Sequence, residues 1–244
     1  MERPRFFVGR EYRFNNEIII NGDEFTHLNS VLRLRAGEQI DVCFNDGCVH
    51  LCEIVAVEKK QAICKIITTN EVKKRHSKIS LFIALTKAER MDWAVQKCTE
   101  LGIDEIIPFA SEFCTVKDKG GKTDRLKRIA LSASKQSGRV NLPEILDNLT
   151  FNQVILKLQE SPQIILAYEN ETANAKEIIS KLDCSKDTAI IIGSEGGFSE
   201  KEVQNFVDAG AKVVSLGETI LRAETACVAL VSAVNYEFNF WKRK

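Results

Sequence analysis

The eight cysteines include no Cys-x-x-Cys pair, which argues against a zinc ribbon and leaves no metal site to propose. No apolar run approaches the roughly 20 residues that a membrane span needs, so no membrane association is expected. Met1-Glu2-Arg3-Pro4-Arg5 lacks the apolar core of a secretory leader. The cysteines are therefore read as reduced, mostly buried thiols of a cytoplasmic protein. Neither G-x-G-x-x-G nor a Gly-Lys-Ser/Thr phosphate loop occurs at the informative turns, which disfavours a standard NAD or ATP site. Internal repeats and low-complexity segments are absent as well. Net charge is also lacking, at +0, but its distribution is uneven. Residues 71–140 carry a net +6 and residues 141–244 a net −5. A basic zone in a neutral protein suits phosphates, although a solvated lysine-rich surface has the same composition.

What is present is a core. Hydrophobic residues make up 44% of 244 positions, enough for one large domain or two smaller ones. Residues 1–72 read as a small β module. Short strand candidates lie at 5–8, 17–20, 38–44, 48–55 and 62–68, with hairpin-turn chemistry at Asn45-Asp46-Gly47. One helix interrupts them, with Asp23 as its cap and Phe25, Leu28, Val31 and Leu32 as its apolar stripe, stopping at Gly37. Residues 71–78 carry no hydrophobic pattern and read as a linker. From Ile79 strands alternate with helices, which predicts a parallel α/β sheet over 73–244.

The stretch that organises this second part is Ile190-Ile191-Ile192-Gly193-Ser194-Glu195-Gly196-Gly197-Phe198-Ser199. The apolar run reads as a strand covered on both faces. Three glycines permit positive φ and close approach of a ligand to the backbone. Ser199 with Glu202 forms a capping box for the next helix. A second loop, Leu216 to Ala226, follows the last strand, Lys212 to Leu216. Open α/β sheets bind ligands at the carboxyl ends of their strands, so the two loops are expected to close into one pocket.

Several segments together resemble a known family. Gly193-Ser194-Glu195-Gly196-Gly197-Phe198-Ser199 and Leu216-Gly217-Glu218-Thr219-Ile220-Leu221-Arg222-Ala223-Glu224-Thr225-Ala226 resemble the two cofactor loops of the RsmE family. These are bacterial 16S ribosomal RNA uracil-N3 methyltransferases of the SPOUT superfamily. Lys87 to Trp93 with Lys97 to Gly102, Lys135-Gln136-Ser137-Gly138-Arg139 with Pro143, and His27-Leu28 through Val31-Leu32-Arg33 are similar to further family segments. The likeness spans nearly the whole chain. Ser194 stands where a proline is usual, Glu218-Thr219 where a basic residue is usual, and Phe113-Cys114-Thr115 in place of Arg-Ser-Val.

The resemblance implies S-adenosylmethionine as cofactor, a PUA-like β-barrel over 1–72, and a SPOUT domain with a C-terminal trefoil knot over 73–244. It also implies a homodimer acting on 16S ribosomal RNA or the small subunit. Cofactor contacts would fall on Leu85, Ile192, Gly193, Glu195, Gly196, Gly197, Leu216, Gly217, Ile220, Leu221 and Ala226. Arg33, Arg35, Lys87, Arg90, Arg125, Lys135 and Arg139 would meet RNA, chiefly through phosphates. Transfer to uracil N3 requires removal of its proton and stabilisation of charge on the flanking carbonyls. Arg222 suits the second task, with Arg139 and Lys87 as weaker candidates. Glu195 or Glu224 can serve as base, or water can take the proton. A ribose hydroxyl as acceptor, or a non-catalytic RNA-binding module, are the competing readings.

Overall fold

The computed structural model describes residues 3–73, 75–116, 123–169 and 173–240. The charged loop expected at 117–122 lies outside the described residues. The chain divides into two compact units. One comprises Met1–Lys74 with Ser134–Leu142, the other Arg75–Ala133 with Pro143–Lys244.

The first unit is built on strands β1 (Arg5–Phe7), β2 (Arg13–Phe14), β3 (Glu17–Asn21), β4 (Gln39–Cys43), β5 (Cys48–Val57) and β6 (Gln61–Glu71). Their order is β1-β4-β5-β6-β3-β2, antiparallel except for the β1–β4 pair. The strand pairing gives one six-stranded sheet with β1 and β2 at the ends of the order. Asn45 at φ 60° and Gly47 at φ 83° turn the chain between β4 and β5, as their residue types require. Phe6, Ile18, Ile20, Leu28, Ile40 and Ile54 fill the core. The thiols of Cys52 and Cys64 sit in this core, where burial pushes both up to about 12, so they behave as small hydrophobes.

The interrupting helix departs from expectation. α1 (Gly22–Thr26) starts after Asn21 without a side-chain cap, so Asp23 is not its capping residue. It then widens into a π turn, with the Leu32 amide donating to the His27 carbonyl at 3.0 Å. The wider turn breaks the 3.6-residue period on which the apolar stripe was drawn. Phe25 and Leu28 are buried, whereas Val31 is 64% exposed. Arg33, at φ 56°, ends the helical segment ahead of Gly37.

His50 gives this unit a pH dependence. It is buried on β5, its Nδ1 2.8 Å from Thr69 Oγ1 and its Nε2 3.8 Å from Asp46 Oδ2. Burial, reinforced by the charge of Arg13, holds its pKa below the usual imidazole value despite Asp46. His27 is lowered for the same first reason. A lowered imidazole binds fewer protons folded than unfolded, so stability is present near neutrality and lost as pH falls through the folded pKa. The denaturant midpoint of the first unit is expected to drop on acidification below the free-imidazole value. In His50→Gln that drop should be smaller. An equal drop in the variant would remove His50 as the cause.

The second unit contains β7 (Ile79–Ala84), α2 (Ala88–Glu100), β8 (Glu105–Phe109), α3 (Thr123–Gln136) and β9 (Glu144–Ile145). Next come α4 (Phe151–Leu158), β10 (Gln163–Ala167) and α5 (Ala175–Ile179). β11 (Thr188–Ile192), α6 (Glu200–Asp208), β12 (Lys212–Val214) and α7 (Ala223–Glu237) complete it. Every pairing is parallel, in the order β12-β10-β11-β7-β8-β9. The alternation of strands and helices had predicted this. All five residues of β11 are buried, because the sheet is covered on both faces. Leu81, Ile83, Ile190 and Ile192 face α2 and α7. Phe82, Ile107, Ala189 and Ile191 face α4 and Phe206 of α6. Leu230 of α7 is fully buried in the first of these layers. Leu230→Ala is expected to cost about 3 kcal/mol of stability through lost burial and a residual cavity. A denaturant titration within 1 kcal/mol of wild type, on the scale of an exposed site, would contradict that packing.

Candidate active site

β11 ends at Ile192 and the chain turns at once. The Gly197 amide donates to the Ser194 carbonyl at 3.0 Å, closing a four-residue turn with Gly197 at φ +70°. Ser194 Oγ donates to the Phe113 carbonyl at 3.3 Å and accepts from the Gly196 amide at 3.4 Å. Where a proline would stiffen the turn by its ring, here hydrogen bonds hold it. Ser199 then caps α6, accepting from the Glu202 amide at 3.3 Å, and the Glu202 carboxylate accepts from the Ser199 amide at 3.1 Å.

The second loop leaves β12 through Ser215. The Ser215 amide donates to the Ala173 carbonyl at 2.9 Å, which ties it to the segment after β10. Gly217 follows at φ +124°. Arg222 caps α7 with its backbone, its carbonyl accepting from the Ala226 amide at 2.8 Å.

The two loops close on one cleft at the carboxyl ends of β10, β11 and β12. From the first loop Ile192, Gly193 and Gly197 line it. From the second come Leu216, Gly217, Ile220 and Leu221, with Ala226 behind them. Three expected residues stand elsewhere. Glu195 and Gly196 sit in the first loop but off the wall, Gly196 packed against Phe113. Leu85 lines a smaller cleft with Thr86, Met91, Leu126 and Asn148. Sequence reasoning missed Tyr168 and Glu169, which follow β10 and form part of the wall. The signal existed, since they too lie at the carboxyl end of a buried strand.

The charged groups sort by what they already touch. Arg90 Nη1 pairs with Glu195 Oε1 at 2.9 Å, and its Nε lies 3.8 Å from Glu224 Oε1. The Lys87 amide donates to the same Glu195 oxygen at 3.4 Å, and the Lys87 side chain is exposed. Arg125 pairs with Asp92. In the first unit Lys135 pairs with Glu24 at 2.6 Å and covers the Phe6 ring, while Arg139 Nε donates to the Asn141 carbonyl at 3.0 Å. Arg33, Arg35 and Arg222 are exposed, and none has a side-chain ion pair among the described residues. Arg222 stands between Leu221 and Ala223 of the cleft wall without lining it, and Arg139 belongs to the first unit.

Among the described residues no helix is long and apolar enough to cross a membrane, and no group of His, Cys, Asp and Glu could hold a metal ion. A family model of an RNA methyltransferase domain matches residues 73–235, and one of an RNA methyltransferase PUA domain matches residues 20–67. The chain is 33% identical over 228 residues to ribosomal RNA small subunit methyltransferase E of Bacillus subtilis, covering 89% of each chain. The Aquifex aeolicus protein of that name is 32% identical over 225 residues, covering 91% of this chain and 95% of that one. Among solved structures, a methyltransferase E from Neisseria gonorrhoeae bound to S-adenosylmethionine superposes with a TM-score of 0.86 at 29% identity. That match covers 96% of this chain and 98% of the other. With a matching catalytic-domain model over most of its length and relatives above 30% identity along nearly all of it, this chain belongs to the RNA methyltransferase family of the small-subunit methyltransferase E proteins.

Proposed function

We propose that this protein transfers a methyl group from S-adenosylmethionine to N3 of a specific uridine in 16S ribosomal RNA of the small subunit. Membership of the family and a near neighbour solved with that cofactor support methylation of small-subunit ribosomal RNA with S-adenosylmethionine. One observation carries the site: the two glycine-bearing loops, 20 and more residues apart in sequence, meet in a single cleft at the strand ends.

The cleft residues fit the cofactor. Apolar walls from Ile192, Leu216, Ile220 and Leu221 suit a flat purine, and the glycine-loop backbone supplies donors and acceptors. Gly197 sits at φ +70°, a conformation that favours glycine, and a Cβ there would displace the exposed end of the Glu169 side chain. S-adenosylmethionine supplies the electrophilic methyl when bound. This chain's own part is to hold the acceptor in line and to neutralise charge on it. Arg222, exposed beside the cleft and without an ion pair among the described residues, is the donor to the uracil carbonyls. Glu195 pairs with Arg90 and accepts from the Lys87 amide, which gives it a role in shaping the loop. The N3 proton passes to Glu195, to Glu224 or to water.

The remaining expectations join this reading. Residues 1–72 act as the RNA-binding PUA-like domain and 73–244 as the SPOUT domain. A trefoil knot is consistent with the crossing of the β11–β12 connection past β10 and with the Ser215–Ala173 hydrogen bond. A homodimer in the cytoplasm completes it, and Ala229 and Ala233 on α7 permit close helix packing. Arg33 and Arg35 in the first unit and Lys87 in the second are the expected RNA cations with exposed side chains and no side-chain ion pair among the described residues. Mass mapping of 16S ribosomal RNA from a deletion strain is expected to show loss of one base methyl on uracil. Loss of a ribose methyl instead would refute the assignment of N3.

A further inference from the structure

Arg90 was expected to meet RNA, yet its surroundings assign it another task. We propose that Arg90 is a positioning residue for cofactor binding, a guanidinium that holds the two walls of the cleft at their working distance. The inference rests on the cofactor reading above. Arg90 lies in the first turn of α2, where its amide bonds the Lys87 carbonyl at 3.0 Å. Its Nη1 holds Glu195, from the loop that brings Ser194 and Gly197 to the cleft. Its Nε faces Glu224, in the first turn of α7, between the cleft residues Ala223 and Ala226. Arg90 itself does not line the cleft. One cation thus joins two segments that sequence separates by about 30 residues, and it does so without lining the cleft.

The chemistry explains why arginine is needed. A planar fork reaches two carboxylates in different directions, which a lysine ammonium does less well. Without the cation, two carboxylates would share one partly buried space and repel each other. Glu224 is the more dependent of the two. Its side chain is 13% exposed and its Oε2 is buried without a hydrogen-bond partner, so Arg90 is the compensating charge beside it. Removing one partner of such a pair leaves an uncompensated charge, and the segment moves to solvate it. Glu195 has a second tether, the Lys87 amide. The N-terminus of α7 is therefore the wall expected to shift, and Arg222 shifts with it.

The test uses calorimetry with S-adenosylmethionine on the full chain, beside the salt dependence of binding to a 16S ribosomal RNA fragment. Arg90→Ala is expected to weaken cofactor binding about tenfold, and Arg90→Lys about threefold, given the partial exposure of the cluster. Adding Glu224→Gln to Arg90→Ala should recover a large part of the loss, since the repulsion is gone; a purely steric role would show no such rescue. The slope of log binding constant against log salt should stay at its wild-type value. A residue neutralising a phosphate would lower that slope by about 0.7 to 0.9. Cofactor affinity within twofold of wild type in Arg90→Ala, or a reduced salt slope, would overturn the proposal. Should Arg90→Ala fail to fold, Arg90→Lys decides, and wild-type affinity there would overturn it. Failure of the wild-type protein to bind S-adenosylmethionine would overturn the cofactor reading and this inference with it.

Discussion

Replacing Arg222 with alanine is expected to lower the rate of methyl transfer by about 10²- to 10³-fold, the range for losing one preorganised donor to a developing oxyanion. Cofactor affinity should change little, because Arg222 is exposed at the α7 N-cap and does not line the cleft. The backbone around it is already fixed. Its φ and ψ of −65° and 151° are those of a helix cap, and its carbonyl is bonded by Ala226. The side chain is thus carried on a rigid element and pointed by no ion pair, which suits a group that engages only when substrate arrives. Single-turnover rates measured beside calorimetric affinities check this split. A large loss of affinity with an unchanged rate would make Arg222 a cofactor-binding residue. Arg222→Lys should recover little, since an ammonium lacks the planar fork that spans neighbouring acceptors.

Gly197→Val is expected to weaken S-adenosylmethionine binding by about 10- to 100-fold while the protein stays folded. Gly197 closes the turn from Ser194 at φ +70°, where a β-branched residue is a genuine outlier. Strain of that kind costs about 1–3 kcal/mol, and each 1.4 kcal/mol is a factor of ten in affinity. The loop relieves that strain by leaving the positive-φ conformation that lines the cleft, while the exposed Glu169 side chain beside the new Cβ can swing aside. Ile192 behind it is anchored in β11 between β10 and β7, so the sheet should not follow. Thermal unfolding near the wild-type midpoint together with lost calorimetric binding is the expected pair of results. Wild-type affinity would show that this turn does not shape the ligand site.

Much of this was readable along the chain because its causes are local. Ser199 and Glu202 are three residues apart and form the capping box expected of them. The apolar run at 189–192 is buried as expected, and Cys227, Leu230, Val231 and Val234, at helical spacing, make the buried face of α7. Where the local rule itself changed, the reading slipped. The π turn after α1 put Val31 in solvent, although a regular helix would have buried it.

The sequence alone determined the elements and the two loops, since helix period, glycine turns and caps act within a few residues. Only the tertiary structure decided which loops meet and which charges are already engaged. Lys135 finds Glu24 across 111 positions, and Arg90 finds Glu195 and Glu224. Tyr168 and Glu169 enter the wall because β10 lies between β12 and β11. Strand order is set by how whole faces bury each other, and no short window of residues carries that information.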